Sequence, residues 1–203
     1  LVNRGLYTWK DMDAYLFPDM EKMYKPGLMK DVTKAAEILM DAIKNNVKIR
    51  VIGDYDVDGV MSSYILYRGI VMLGGEVSCR IPHRVKDGYG IRDYMVNEAK
   101  EDGIGLIITC DNGISAVSAA SRAKELGITY ILTDHHEVPD NDGTEIIPDA
   151  DAVVNPKQKA CEYPYNMLCG AGVVYKLMSY IFEKKNDKSY INELLPFAAI
   201  ATV

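Results

Sequence analysis

Cysteine is sparse in this chain: Cys79, Cys110, Cys161 and Cys169 make no C-x-x-C pair. That argues against a thiolate zinc site and reads as reduced, half-buried thiols of a cytoplasmic protein. No apolar run is long enough to cross a membrane, so no membrane partner is expected. Basic excess is missing as well. Lys and Arg number 23 against 29 Asp and Glu, a net charge of -6, so overall basicity lends nothing to a nucleic-acid role. Low-complexity segments and internal repeats are absent. The first residue is Leu1 rather than Met, and the last lies inside the apolar run Leu194–Val203, so the chain reads as a piece of a longer protein. Its 203 residues, 48% apolar and 26% charged, suit one soluble domain with an appendage.

What is present is acidic and ordered. In Gly53-Asp54-Tyr55-Asp56-Val57-Asp58-Gly59, three carboxylates alternate after the apolar stretch Val47–Ile52, with no basic residue among them. Such charges repel, and a bound hard cation with oxygen ligands, magnesium or manganese, is the simplest compensation. A solvated acidic turn is the plain alternative.

The hydrophobic pattern sets this run in an alternating framework. Residues 1–28 read as an N-terminal arm packed on the core, interrupted by Pro18 and Pro26. Met29–Asn46 has the spacing of an amphipathic helix. Strands are predicted at Val47–Gly53, Glu76–Pro82, Ile104–Cys110, Ile128–Thr133 and Asp151–Val154. Helices are predicted at Val60–Leu73, Ile91–Asp102, Ile114–Leu126 and Ala171–Phe182, several stopped by glycine. A polar loop at His135–Pro148 and a solvated connector at Lys184–Lys188 complete the chain. This is an α/β fold, a mainly parallel sheet flanked by helices. Residues 1–46 form the arm and its helix, and 47–203 form the main domain.

Three predicted strands run out into acid: Ile52-Gly53-Asp54, Thr109-Cys110-Asp111 and Leu132-Thr133-Asp134. Ligands of parallel α/β sheets bind beyond the carboxyl ends of strands, so Asp54, Asp56, Asp58, Asp111 and Asp134 share one rim with His135 and His136. Singly, Asp111-Asn112-Gly113 is also a turn, Asp134 a loop cap, and the histidines a surface pair. Together they suit two metals about 3.5–4 Å apart, bridged by a carboxylate, and metal-assisted hydrolysis of a phosphate ester or anhydride.

The set Asp54-Tyr55-Asp56-Val57-Asp58-Gly59, Asp111-Asn112-Gly113 and Asp134-His135-His136 resembles the DHH phosphoesterase superfamily. Three further segments resemble its branch of single-strand-specific 5′→3′ DNA exonucleases. They are Asn3-Arg4-Gly5; Ile81-Pro82-His83-Arg84 with Asp87-Gly88-Tyr89-Gly90; and Asn155-Pro156 leading through Tyr163-Pro164 to Gly170-Ala171-Gly172-Val173. The resemblance implies Asp56, Asp58, Asp111 and His135 as ligands of two manganese or magnesium ions, with Asp111 bridging. Asp54 would ligate or support. Asp134 would orient His135, and His136 would meet the scissile phosphate. Arg84 and Lys86 would hold backbone phosphates, Lys86 being equally readable as part of a solvated loop. Gly88 and Gly90 would let the nucleic acid approach. Gly170 and Gly172 would do the same, with a phosphate at the helix end, or would form only a tight helix entry.

Single-stranded DNA is the implied substrate, with single-strand-binding protein and recombination helicases as implied partners. Short oligonucleotides or cyclic dinucleotides, or a catalytically weakened nucleic-acid scaffold, are the competing readings. Ile52 stands where small-substrate relatives carry a histidine, which argues against the pyrophosphatase branch. The family's further aspartate beyond Ala201-Thr202-Val203, its DHH-associated domain and its oligonucleotide-binding domain are not in this chain. It is therefore expected to fold as the front of the catalytic core, to bind metal weakly and to be nearly inactive.

Overall fold

A computed structural model describes residues 1–88 and 90–203, so Tyr89, named above, lies outside the described residues. The elements run α1 (Trp9–Leu16), α2 (Val32–Lys44), β1 (Ile49–Ile52), α3 (Val57–Met72), β2 (Val77–Arg80), α4 (Asp93–Glu101), β3 (Leu106–Thr109), α5 (Val117–Glu125), β4 (Thr129–Thr133), β5 (Asp140–Asn141), β6 (Thr144–Glu145), β7 (Ala152–Val154), α6 (Gly170–Lys184) and α7 (Ser189–Thr202). The alternation expected from the hydrophobic pattern is therefore realised. The polar loop at 135–148 adds a two-residue antiparallel hairpin, β5–β6.

The main sheet has the order β2-β1-β3-β4-β7 and is parallel throughout. Period-two alternation sends Ile49, Val51, Ile108, Ile131 and Val154 to one face, under α2, α3, α6 and α7. Ile52, Ile107, Tyr130, Leu132 and Val153 go to the other, under α4 and α5. Both faces are covered, which is why the strands read as continuous apolar runs. After β2 the chain returns past β1 to build β3 on its other side, and the crossover helices change face. The crevice at such a switch point lies between the carboxyl ends of β1 and β3, where α/β sheets bind ligands.

Within the described residues no helix is long and apolar enough to cross a membrane. The arm packs less than its aromatic content suggested. No residue before Pro26 is buried, and Tyr7, Trp9 and Phe17 are exposed. α1 spans only two turns and finds no apolar face to cover. The hold on this segment comes from Lys176 Nζ, which donates to Tyr24 O at 2.9 Å, and from an edge contact of Tyr24 on Tyr163. Packing of residues 1–46 on the core begins at Pro26 and is carried by α2.

The acidic run is folded by close approach. α3 starts at Val57, earlier than the sequence pattern suggests, because Asp56 caps it by accepting from Gly59 N at 2.9 Å. A Cβ on Gly59 would meet Asp54 O at 2.5 Å and Asp54 Cα at 2.6 Å, both backbone atoms that cannot rotate away. Gly59→Ala is expected to cost about 1–3 kcal/mol, read as a lower urea midpoint at unchanged slope.

Candidate metal centre

β1, β3 and β4 each deliver one buried carboxylate just past their ends: Asp54, Asp111 and Asp134. Two ligand sets form at this edge. Asp54, Asp56 and Asp111 each offer an oxygen, all within 4.8 Å of one another. Asp111, His135 and His136 do the same. Asp111 belongs to both. Its backbone is left-handed, with φ 57, an uncommon state for a residue with a Cβ and one that marks functional turns.

Asp111 Oδ1 lies 3.0 Å from His135 Nε2 but in no hydrogen bond of regular geometry. Nothing among the described residues donates to the buried Asp54 Oδ1. Among the described residues, no lysine or arginine pairs with Asp54, Asp56, Asp58, Asp111 or Asp134. Burial pushes the Asp54 carboxyl up, and the Asp56 charge adds to this. Asp111 is pushed up to about 7 by burial, with the Asp58 and Asp56 charges adding and the adjacent His135 ring opposing. His135 is raised by the Asp111 carboxylate beside it.

Asp134 is built differently. Its Oδ2 accepts from Ile114 N at 2.9 Å, and its Oδ1 from His135 N at 2.7 Å and His136 N at 3.1 Å. The same Oδ1 lies 2.7 Å from His136 Nδ1. Burial acts to raise this carboxyl, but the His136 ring and the Ile114 N–H outweigh it and hold it below the usual range. His136 is raised in turn by Asp134. Asn155, fully buried, donates to His136 O at 3.0 Å and braces the histidine pair from β7. A cavity of about 290 Å³, walled in part by Ile91, Arg92, Ile114 and Ser115, opens beside His136.

The sequence profile of the DHH family, N-terminal domain, matches residues 48–202. The chain belongs to the DHH family. It is similar to the single-stranded-DNA-specific exonuclease RecJ of Bacillus subtilis (strain 168), 41% identical over 203 residues, covering 100% of this chain and 25% of that protein. RecJ of Salmonella typhimurium is 37% identical over 213 residues, covering 100% of this chain and 35% of that protein. A crystal structure of exonuclease RecJ bound to manganese superposes with a TM-score of 0.74 at 34% identity, covering 86% of this chain and 43% of that one. RecJ of Thermus thermophilus in complex with Mn2+ gives 0.71 at 29% identity, covering 86% and 24%. The chain thus spans between 25% and 35% of the two curated relatives.

In this DHH domain all seven expected rim residues lie at one edge of the sheet, and some of their contacts differ from those expected. Asp134 holds the ring of His136, not that of His135: His136 Nδ1 lies 2.7 Å from its Oδ1, while His135 turns Nε2 to Asp111 at 3.0 Å. Asp58 lies outside both ligand sets. Its oxygens accept from Gly170 N at 2.6 Å and Ala171 N at 2.7 Å, and Oδ2 stands 3.5 Å from His135 Nε2. The amino end of α6, expected to receive a phosphate, is therefore held by Asp58, while Gly172 N donates to the capping Cys169 Sγ at 3.3 Å. Gly170 faces protein rather than nucleic acid, and a Cβ on Gly172 would touch Leu168 at 3.2 Å.

Gly88 and Gly90 sit in the loop before α4 with φ 74 and 87, backbone that favours glycine. Arg84 in the same loop lies over the Tyr55 ring, and the exposed Lys86 donates its backbone N to His83 Nδ1 at 3.3 Å. Sequence reasoning named Asn112 and Asn155 within their segments but gave neither a role. Asn112 Nδ2 donates to Gly53 O at 2.7 Å and ties the β3 loop to the β1 loop. The signal for Asn112 was its place inside Asp111-Asn112-Gly113, where a turn explained it too readily.

Proposed function

We propose that this domain carries the metal centre of a single-strand-specific DNA exonuclease working 5′→3′ with manganese or magnesium. The observation behind this reading is Asp111, common to two three-residue ligand sets. The donors fit such ions: carboxylate oxygens with imidazole nitrogen, two buried oxygens without a hydrogen-bond partner, and, among the described residues, no basic side chain paired with them. The similar proteins are single-stranded-DNA-specific exonucleases by name, and RecJ crystals hold manganese.

Asp54, Asp56, Asp111 and His135 would hold the cations, with Asp58 Oδ2 in reach of the second. Bound there, divalent ions supply Lewis acidity toward a phosphoryl oxygen and a water. Asp134 holds His136 by Nδ1, which turns Nε2 away from the carboxylate to meet the scissile phosphate. Arg84 and Lys86 take backbone phosphates. With manganese, the intact protein is expected to release the 5′-terminal nucleotide of a labelled single strand and to leave a duplex whole. Release from the 3′ end, or turnover confined to short oligonucleotides or cyclic dinucleotides, overturns this reading.

The centre also predicts a pH dependence. A carboxyl must lose its proton to bind a cation. Because Asp111 titrates near 7, acid competes with metal as pH falls through that value. Manganese affinity measured by calorimetry is expected to be about tenfold weaker at about pH 6 than at about pH 8. Equal affinities would show that Asp111 is not a ligand.

A further inference from the structure

Tyr55 stands between Asp54 and Asp56, yet it belongs to neither ligand set. The Arg84 Cζ lies 5.4 Å from the centroid of its ring. Among the described residues this cation–π contact is the one interaction of the Arg84 side chain. Nearby cations are differently engaged. Arg80 stands 3.6 Å from Asp87 and 3.5 Å from Glu98, and Lys157 pairs with Glu137 at 2.8 Å.

A carboxylate and an aromatic ring both fix a guanidinium, with opposite consequences. A carboxylate occupies the N–H fork and cancels the charge. A ring meets the flat face, leaves the in-plane N–H donors open and keeps the charge whole. The difference matters at this edge of the sheet, where five carboxylates gather. An arginine paired to one of these carboxylates would leave the rim with little positive charge to present to a polyanion.

We propose that Tyr55 is a positioning residue, whose ring holds Arg84 beside the carboxylate rim with its donors free to grip a backbone phosphate of the substrate. The proposal rests on the exonuclease reading for the identity of that polyanion. Tyr55 acts here through Arg84 alone, not through the cations.

A double-mutant cycle on the intact protein tests this. The readout is fluorescence anisotropy of a 5′-phosphorylated, fluorescein-labelled oligothymidylate, with calcium replacing manganese so that the strand is not cut. Arg84→Ala is expected to weaken binding about tenfold and to flatten the salt dependence by about 0.7 in slope, the loss of one phosphate contact on a single strand. Tyr55→Ala is expected to weaken it about fivefold, on the scale of a cation–π contact, and to add nothing in the Arg84→Ala background. Tyr55→Phe restores the ring and should return binding to within about twofold of wild type. In manganese, Tyr55→Ala should raise KM and leave calorimetric manganese affinity as it was.

Additive effects in the cycle overturn the proposal. So does a Tyr55→Phe variant as weak as Tyr55→Ala, which would assign the effect to the hydroxyl. Loss of manganese affinity in Tyr55→Ala overturns it too, since the tyrosine would then act on Asp54 and Asp56. A wild-type protein that neither binds nor cuts the strand overturns the exonuclease reading and this inference with it.

Discussion

Asp111→Asn in the intact protein is expected to lower single-turnover cleavage of single-stranded DNA by about a thousandfold or more. Both ligand sets lose the charge of their common member at once, and a neutral amide oxygen is a far poorer bridge between two cations. Asparagine tolerates the left-handed backbone that Asp111 adopts at φ 57, so the local fold should survive. The variant should also melt no lower than wild type without metal, because a buried, poorly partnered carboxyl has been replaced by a neutral amide. Manganese should no longer raise its melting temperature, as a ligand that binds only the folded state otherwise does. Near-normal turnover would remove Asp111 from the mechanism, and lost folding without metal would make it a structural residue first.

Gly170→Ala should do comparable harm from outside the ligand set. A Cβ at this position would sit 2.6 Å from Asp111 Oδ1, 2.7 Å from its Cβ and 2.9 Å from its Cγ. The atoms in the way belong to a short, buried side chain, so α6 must withdraw. Its withdrawal also breaks the two bonds from Gly170 N and Ala171 N to Asp58. Overpacking of this kind costs about 1–3 kcal/mol. The expected result is a lower urea midpoint together with a manganese affinity weakened by about tenfold, since Asp111 and Asp58 are displaced together. An alanine variant that binds manganese as wild type does would show that α6 moves aside freely.

The contrast between these two residues shows what the amino-acid order discloses. Asp111 was legible because it follows the apolar run of β3, and a parallel sheet sends every such strand end to the same side. The same logic found Asp54 and Asp134. The contacts of Gly170 with Asp58 and Asp111 were not legible. Its amide partner, Asp58, lies 112 residues away along the chain, a pairing no local pattern encodes. The exchange of His135 for His136 beside Asp134 has a similar origin. Neighbouring residues offer one carboxylate two rings, and the choice falls to the packing of β4 against the Ile114 and Asn155 loops. Element types were readable because buried strands and amphipathic helices have distinct periods. The start of α3 was misplaced because its cap, Asp56, sits inside the acidic run itself.

The exposed arm supplies a built-in optical probe. Trp9 is the sole indole of the chain and is 87% exposed, in a segment with no buried side chain before Pro26. Its emission therefore reports the surroundings of α1 and hardly registers melting of the sheet. A blue shift in that emission would signal that something has settled over the arm, while unfolding of the main body would have to be followed by circular dichroism.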